Sequence, residues 1–403
     1  MYTYAFLEEC VPFYPLYALL FADSGVSAGG ISALFALWSA ATFLLEIPSG
    51  VWADVVSRRR LLMFAPLLDA AGYALWAVAP SIWSFAVGFV LLGAGTALRS
   101  GALQALVYAE LDRLGATAAY PRLIGRSQAA GGAAGLLATA LAGPLVAVGG
   151  YPVVGAVSVA ALLLCAAAGR ALPEQRPVRG TGQAGPDGSA PSPDEDAGGG
   201  EGGSGLAVLR AALGVVRRCA PVRRALLLSA ALTGIAALDE YVPLLVRDTG
   251  VAPATVPLLV LAVTAGSTLG GLVAGRGGRW LAALLAVAAV LLAVGAGSGA
   301  PVGIAGVAVA FGVFYWALAQ ADARLQDSLD DSSRATVTSL SGAGMEAVGI
   351  ATFAAYGVGA DGLGMPAHWL FAAAAVPYLL VALAGRRGRR VRPPPLRARR
   401  DPG

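Results

Sequence analysis

Two pairs of adjacent acidic residues stand inside otherwise apolar stretches of this chain, where carboxyl groups could bind a proton or a cation. Glu8 and Glu9 lie in the run LEECVP, and Asp239 and Glu240 lie in the matching run LDEYVP. A carboxylate in hydrocarbon costs a few kcal/mol or more, so acids that persist there usually serve a function. The same unfavourable feature at the same place in two halves predicts a duplicated membrane bundle with a polar centre.

Helix geometry limits what each acid pair could do. Adjacent residues on a helix point about 100° apart, so we expect at most one member of each pair to face the same cavity squarely. Two neighbouring carboxyls in a low-dielectric site disfavour joint ionisation, which is the property that a proton-coupled carrier needs. The alternative is that one member faces the lipid headgroups, which the position of Glu8 near the N-terminus would allow.

The composition places most of the chain in a membrane. Its 403 residues are 57% hydrophobic and 13% charged, with a mean hydropathy of +0.70, whereas about a quarter of the residues in a soluble domain are charged. The apolar residues form blocks of roughly 20, long enough to cross a bilayer as a helix, and they do not alternate as barrel strands would. The predicted fold class is an all-α polytopic membrane protein with about twelve transmembrane helices. The predicted spans run at roughly 2–22, 31–53, 61–79, 82–107, 123–147, 151–170, 223–246, 254–275, 280–297, 301–323, 335–357 and 366–385.

The basic residues, all of them arginine, predict the direction of the spans. Arginines follow the even-numbered spans and end the chain, whereas only one odd-numbered exit, after span 7, carries a basic residue, Arg247. By the positive-inside rule, both termini are cytoplasmic. The arginines lie at helix ends and not on one basic face, which argues against nucleic-acid binding. Exclusive use of arginine is typical of a GC-rich bacterial genome, so we expect a bacterial cytoplasmic (inner) membrane.

A change in composition separates the two halves of the chain. Residues 173–205 are mostly Gly, Pro, Ser and acid, which predicts a disordered linker. Residues 206–218 could form a short amphipathic helix on the inner membrane face. We therefore predict four regions: an N-terminal six-helix bundle at 1–171, a cytoplasmic linker at 172–221, a C-terminal six-helix bundle at 222–387 and a basic cytoplasmic tail at 388–403.

The loop after span 2 carries a signature. Gly50, Ala53, Asp54, Arg58 and Arg59 match the pattern Gly-x-Leu-Ala-Asp-Arg-x-Gly-Arg-Arg, and the loop after span 8 repeats it in part. On these residues the chain resembles the major facilitator superfamily, which implies two pseudo-symmetric six-helix bundles around a central cavity. The resemblance also implies a cytoplasmic gate formed by Gly50, Asp54, Arg58 and Arg59. A plain positive-inside anchor would explain the arginines but not Asp54.

The resemblance further implies that spans 1, 4, 7 and 10 line the cavity. Arg99, the one arginine well inside a span, is similar to a span-4 arginine of the family's proton-coupled exporters, and this suggests Glu8 or Glu9 as its partner. A buried ion pair with a structural role is the alternative. The predicted substrate and proton cavity contains Glu8, Glu9, Arg99, Gln104, Asp239, Glu240 and Asp322.

Other polar groups in the spans receive different predictions. Glu46 and Asp69 lie toward cytoplasmic span ends, which favours a gate or packing role over substrate contact. Glu346 lies nearer the middle of span 11, and its facing is left open. His368, the only histidine, is predicted to be structural. Aromatic residues that could line an apolar cavity are Tyr14, Tyr17, Phe35, Trp38, Phe311, Phe314, Tyr315 and Trp316.

These features favour a secondary active transporter that couples proton entry to efflux of a small apolar or cationic compound, such as a drug or antibiotic, by alternating access. The run EIPSG and a partial span-5 motif around Gly143 resemble bacterial drug–proton antiporters. An importer or facilitator of a sugar or other small metabolite is the alternative, although an acid-rich cavity counts against it. An enzyme is disfavoured because no nucleophile–base or metal constellation is found. We expect no cofactor and no metal. The expected partners are a small-molecule substrate, protons and the lipid bilayer, and nucleic acid is not expected. The expected oligomeric state is a monomer.

Overall fold

The regular structure of the chain is helical throughout the part that the computed structural model describes, residues 1–174, 220–274, 278–327 and 331–388. The predicted linker beyond residue 174 and the predicted tail beyond residue 388 lie outside these residues. The helices are α1 (Tyr2–Glu9), α2 (Tyr17–Asp23), α3 (Ala28–Val55), α4 (Arg58–Val78), α5 (Ile82–Arg99), α6 (Ala102–Arg113), α7 (Tyr120–Arg170), α8 (Ala220–Asp239), α9 (Val242–Asp248), α10 (Val256–Leu272), α11 (Leu281–Gly297), α12 (Gly303–Asp327), α13 (Asp331–Gly357) and α14 (Ala367–Gly388).

The helices overlap the predicted spans, and the predicted count of about twelve is visible in part. Within the described residues, seven helical stretches are long and apolar enough to cross a membrane, and a further bent pair, α8 and α9, passes the same test together. The longest stretch contains α7, which supplies two spans because Gly149 and Gly150 interrupt it. Gly150 has a φ of +65°, a left-handed conformation that glycine adopts without steric cost. Two shorter apolar helices are α11 and the first part of α14.

The helices form two bundles that meet along two matching contacts. In the N-terminal half, α4 packs on α5 and α7, and α1 packs on α7; in the C-terminal half, α12 packs on α8, α10 and α11. Between the halves, α3 packs on α13 and α7 packs on α10. These contacts pair span 2 with span 11 and span 5 with span 8, as expected for two parallel repeats of six spans. The fold is therefore the predicted pseudo-symmetric arrangement of two bundles.

Both copies of the repeated acid motif mark a helix break. Helix α1 ends at Glu9, where Cys10 leaves helical geometry with φ −82° and ψ 60°. Helices α8 and α9 meet at a bend of 54°. Pro12 and Pro243 follow the acid pairs, and proline both lacks an N–H donor and disfavours helix at the preceding residue. At the first break, Ser158 Oγ accepts a hydrogen bond of 3.0 Å from the Phe13 N–H.

Small residues allow close contact between helices. A side chain at Gly270 of α10 would collide with the backbone of Gly312 on α12, so the two helices depend on glycine here. Gly143 of α7 lies against Pro257 of α10 at the interface between the halves. Close packing of small residues is a common source of helix association in membranes.

One end of the assembly is tied together across the halves, and we call it the outer end. Asp23, at the end of α2, accepts hydrogen bonds from Tyr151 (2.6 Å) and from Arg247 of the C-terminal half (2.8 Å). Asp361, after α13, accepts a 2.9 Å bond from the Gly29 N–H at the start of α3. The opposite end carries the loop between α3 and α4, and we call it the inner end because that loop is predicted to be cytoplasmic. These contacts join the two halves at the outer end.

Candidate functional site

A cavity of about 400 Å³ lies between the two halves. Its walls include residues from α1, α3, α4, α5 and α7 of the first half and from the α8–α9 break and α10 of the second. The ionisable aspartate, glutamate and arginine residues that line it, among those described, are Glu8, Glu9, Asp69, Arg99, Asp239 and Glu240. Five carboxyls and one guanidinium therefore share one space, and four of these carboxyls belong to the repeated acid pairs.

An ion-pair cluster forms the N-terminal side of the cavity. Arg99, the last residue of α5, lies 3.0 Å from a carboxyl oxygen of Glu8 through its Nε and also pairs with Asp69. Its Nη2 donates to the hydroxyl of Thr96 at 3.2 Å. The guanidinium can hold two carboxylates because its five N–H donors are spread in a planar fork. The predicted contact between Arg99 and an acid of the first pair is present, and the partner is Glu8.

Asp69 is a cavity residue that the sequence analysis assigned to a gate or packing role. It lies on α4 with only 4% of its surface exposed, and one of its carboxyl oxygens has no hydrogen-bond partner in the structure. That oxygen packs against Gly95, where any larger residue would occupy its place. The sequence signal was the intramembrane acid itself. Its position along span 3 suggested that Asp69 lies near the inner end. In the structure, α4 places its carboxyl beside Arg99 in the cavity wall.

Tyrosine hydroxyls hold the acids on the C-terminal side. Glu240 accepts a bond of 2.8 Å from Tyr14 and a second, shorter bond from Tyr17. Asp239 accepts a 2.9 Å bond from Tyr315 on α12. These tyrosines were predicted as residues that could line an apolar cavity. Their role as hydrogen-bond donors was not predicted, because the spacing of residues on separate helices does not reveal such contacts.

Both members of each acid pair line the cavity, so the prediction that only one of each pair could do so is wrong. The prediction assumed continuous helices with about 100° between neighbours. Helix α1 ends at Glu9, and Glu240 lies in the turn after α8, so in each pair the second acid is at a helix end. Each pair therefore lies beside a helix break that borders the cavity, and the side chains of both acids line it.

Two predicted cavity residues lie elsewhere. Gln104 on α6 lines a neighbouring cavity of about 490 Å³, which also contacts Glu8 and Glu9 and extends toward the inner end. Asp322 is not among the described residues that line the central cavity; it accepts a 2.6 Å bond from Ser229. Asp322 lies two helical turns beyond Tyr315, and this separation along α12 carries its carboxyl away from the acid pairs.

The predicted gate is described only in part. The surroundings of Gly50 and the side chain of Asp54 lie outside the described part of the structure. Arg58 donates from Nη1 to the Ala105 carbonyl at 3.1 Å, so its guanidinium contacts α6. Glu174, at the start of the predicted linker, accepts a 2.9 Å bond from the Arg58 N–H and a 3.4 Å bond from the Arg59 N–H. The carboxylate therefore caps α4, a favourable place for negative charge.

The remaining intramembrane acids also have defined neighbours. Glu346 on α13 accepts a hydrogen bond from Ser39 on α3, across the interface between the halves. Both line a second chamber of about 260 Å³ that shares Trp38 and Glu240 with the central cavity. Glu46 accepts a weak 3.4 Å bond from the hydroxyl of Ser100. The open question about Glu346 is thereby answered: it faces the opposite half.

His368, which was predicted to be structural, lies at the start of α14 and contacts Asp248. Its ring Nδ1 lies 2.5 Å from a carboxyl oxygen of Asp248, and the same oxygen accepts its backbone N–H at 3.2 Å. These contacts tie the start of α14 to the end of α9. Of the predicted aromatic residues, Tyr14 and Trp38 line the cavity. The others are not among its lining residues; Tyr17, Phe35, Phe311 and Phe314 have 1% or less of their surface exposed.

Solved structures share this fold. The nucleoside transporter NupG aligns with a TM-score of 0.72 at 12% identity, covering 96% of this chain and 98% of that chain. A bacterial homologue of the human lysosomal transporter Spinster, inward-facing and occupied, aligns at 0.67 and 15% identity over 98% and 96% of the two chains. A D-xylose–proton symporter aligns at 0.64 and 14% identity over 95% and 94%. At these identities the likeness concerns the fold alone.

Sequence comparison gives the family. Curated protein sequences give no match to the chain. The family profile described as Major Facilitator Superfamily matches residues 5–323, which include both acid pairs and Arg99. The match extends over most of the chain, and the helical bundles and the solved transporters of the same fold agree with it. The chain is a multi-pass membrane transporter and belongs to the Major Facilitator Superfamily.

Proposed function

We propose that the chain is a proton-coupled antiporter that extrudes small apolar cations. The observation that carries this proposal is the charge of the central cavity, where five carboxyls face one guanidinium. Arg99 compensates one unit of negative charge at most, so ionised acids in the cavity attract a cation or take up protons. A low-dielectric surrounding strengthens both tendencies, because charges interact more strongly there than in water.

Competition for the same carboxyls couples the two fluxes. A cation bound beside Asp239 or Glu9 stabilises the ionised acid, and a proton on that acid weakens cation binding. Thermodynamic linkage makes this effect reciprocal, so each ligand lowers the affinity for the other. A protein that opens alternately to the two sides with either ligand bound then exchanges one for the other. Proton entry drives cation exit under an inward proton gradient.

The walls of the cavity suit a substrate with an apolar body. Val11, Leu92, Leu162 and Val260 line it, together with the ring of Trp38. The indole ring can attract a cation through its electron-rich face, which adds to the effect of the carboxylates. A lipophilic cation satisfies both the charge and the apolar surface of such a site.

Transport assays in proteoliposomes test this function. We expect efflux of tetraphenylphosphonium or ethidium that requires an imposed pH gradient and that falls strongly in the Glu9→Gln and Asp239→Asn variants. Asp322→Asn is the matched control, because this acid lies on a cavity-side span but outside the cavity. Unchanged efflux in both cavity variants, or efflux that ignores the gradient, would refute the proposal.

A second candidate is proton-coupled transport of a hydroxylated metabolite such as a sugar or a nucleoside. The cavity wall also carries the hydroxyls of Thr96, Thr139 and Thr264, which can bind ligand hydroxyls. Solved transporters of the same fold include a nucleoside transporter and a D-xylose–proton symporter. Counterflow of radiolabelled xylose and uridine in the same proteoliposomes separates the candidates. Uptake of either solute without any cation efflux would favour the metabolite transporter.

A further inference from the structure

The cavity acids differ in where their hydrogen-bond partners come from. Glu8 and Asp69 pair with Arg99, and all three belong to the N-terminal half. Asp239 bonds to Tyr315 within the C-terminal half. Glu240 belongs to the C-terminal half, but its two carboxyl oxygens accept bonds from Tyr14 and Tyr17 of the N-terminal half. A change of charge at Glu240 therefore acts directly on the contact between the halves.

The Glu240 contact lies at the base of a pair of half-helices. Helix α2 begins at Tyr17 and ends at Asp23, and α9 begins just after Glu240 and carries Arg247 near its end. The two segments pack against each other across the halves. At their tips, Arg247 donates to Asp23 at 2.8 Å. We call α2 and α9 the outer gate; it is joined at its base by the tyrosines and at its tip by this ion pair.

The ring of Tyr17, one of the two tyrosines, is held rigidly by its neighbours. Tyr17 has 1% of its surface exposed and packs edge-on against Phe35 and Phe89, with ring centroids 5.8 Å apart in each case. Tyr14 packs edge-on against Tyr17 at 5.4 Å. The Tyr17 hydroxyl thus has little freedom to follow Glu240 if it moves, whereas 49% of the surface of Tyr14 is exposed. The contact can hold or break, but it cannot stretch gradually, because packed aromatic cores deform little.

The charge of Glu240 determines how well it accepts these bonds. An ionised carboxylate accepts from both tyrosines, whereas a protonated acid becomes a donor itself and loses acceptor capacity. Hydrogen bonds to an ionised acceptor are about twice as strong as neutral ones. The titratable and charged groups around Glu240, on all elements that face it, are Asp239, Tyr14, Tyr17, Tyr73, Tyr241, Tyr315, Glu8, Glu9, Asp69, Arg99 and Glu346.

We propose that Glu240, Tyr14 and Tyr17 form a coupling latch for the outer gate: ionised Glu240 holds α9 to α2, and protonation of Glu240 releases them. This inference rests on the proposed proton coupling and assigns its steps to different acids. Asp239 and Glu9 contact the cation, while Glu240 converts a proton into a change of conformation. The tyrosines are positioning residues that act through Glu240.

Distance measurements across the outer end test the latch. Spin labels at Val148→Cys and Val302→Cys report on the two halves, because both residues are 81% exposed at outer turns. The native Cys10, Cys165 and Cys219 are replaced first. We expect one short distance at mildly alkaline pH and a growing longer component at mildly acidic pH. Glu240→Gln should show the longer component at both values.

Removing single hydroxyls separates a latch from general packing. Tyr14→Phe and Tyr17→Phe keep the rings, and each should raise the ratio of open to closed molecules about tenfold at alkaline pH. Tyr315→Phe is the matched control, because it removes a donor to a cavity acid within one half, and it should leave the distances unchanged. The latch is overturned if Glu240→Gln keeps only the short distance at either pH, or if Tyr315→Phe opens the gate as much as Tyr17→Phe.

The outcome is separable from that of the proposed function, since the distances are measured without substrate. Distances that respond to pH, in a protein whose transport ignores the proton gradient, would leave the latch standing and refute antiport. Efflux that is driven by the gradient, in a protein whose distances change neither with pH nor in the Glu240→Gln variant, would support antiport and refute the latch.

Discussion

The two copies of the acid motif sit at equivalent helix breaks but are stabilised in different ways. In the N-terminal half, Glu8 pairs with Arg99, which also binds Asp69. In the C-terminal half, the corresponding Asp239 bonds to a neutral tyrosine hydroxyl. The duplication has kept the acids and the break while the partners have diverged.

The difference indicates a division of roles. A guanidinium stays charged at any physiological pH, so the N-terminal cluster keeps a fixed positive charge beside its acids. A tyrosine donates a hydrogen bond without compensating charge. The C-terminal acids therefore depend on a proton or a bound cation for neutrality, and we expect the N-terminal cluster to govern stability and the C-terminal pair to govern transport.

The largest effect is expected for Arg99→Ala. Removing the cation leaves the buried Asp69 and the partly buried Glu8 without compensation, and loss of one partner of a buried ion pair typically costs about 3–5 kcal/mol. Thermal unfolding of the purified protein in detergent should show this loss. Adding Asp69→Asn to the Arg99→Ala variant should recover part of the stability. An Arg99→Ala variant as stable as the wild type would show that the two halves do not differ in this respect.

Asp239→Asn should chiefly affect transport. Asp239 has no ion-pair partner among the described residues, so its charge is available to a bound cation. We expect its loss to lower cation efflux about a hundredfold, equivalent to roughly 2.7 kcal/mol. The unfolding temperature should change little. Glu8→Gln, the equivalent change in the first half, should lower the unfolding temperature more than Asp239→Asn does. Equal effects of the two variants on both measurements would remove the distinction.

Gly95→Ala should disturb the N-terminal cluster without changing any charge. The added methyl group would displace the Asp69 carboxyl and approach the Ala65 carbonyl oxygen at 3.0 Å. Overpacking of this kind typically costs about 1–3 kcal/mol. Gly125→Ala is the control, because no atom lies within 4 Å of the new methyl group, and it should not destabilise the protein. A harmless Gly95→Ala would mean that Asp69 does not need this position.

Tyr315→Phe should have the smallest effect. It removes one neutral donor from Asp239, and such a hydrogen bond contributes about 1 kcal/mol to stability. Chemical unfolding should detect a loss far below that of Arg99→Ala. If Tyr315→Phe lowered the free energy of unfolding as much as Arg99→Ala does, a neutral hydrogen-bond donor would stabilise a cavity acid as well as a charged one. The two halves would then not differ in stability in the way proposed.

The sequence predicted the features that depend on local pattern. The spans followed from hydropathy, the two-bundle fold from the repeat and the loop signature, and the Arg99–Glu8 contact from a resemblance in motif. The prediction that at most one acid of each pair faces the cavity squarely was wrong because the helix breaks were not anticipated, although Pro12 and Pro243 follow the two pairs.

Contacts between distant helices were not accessible in the same way. Asp69 and Arg99 meet through the packing of α4 on α5 at Gly95, and Asp322 misses the cavity because of its level along α12. Neither relation is encoded in residue spacing within one span. Glu174 illustrates the same limit, since a linker residue by composition forms the cap of α4.

The most direct test of the central claim is to measure protons as a cation binds. Purified protein in weak buffer is titrated with tetraphenylphosphonium, and both binding and proton release are recorded. If the carboxyls of the acid pairs exchange protons for substrate, the wild type releases protons on binding and the Asp239→Asn variant releases fewer. Cation binding without proton release, or equal release from the variant, would contradict the account.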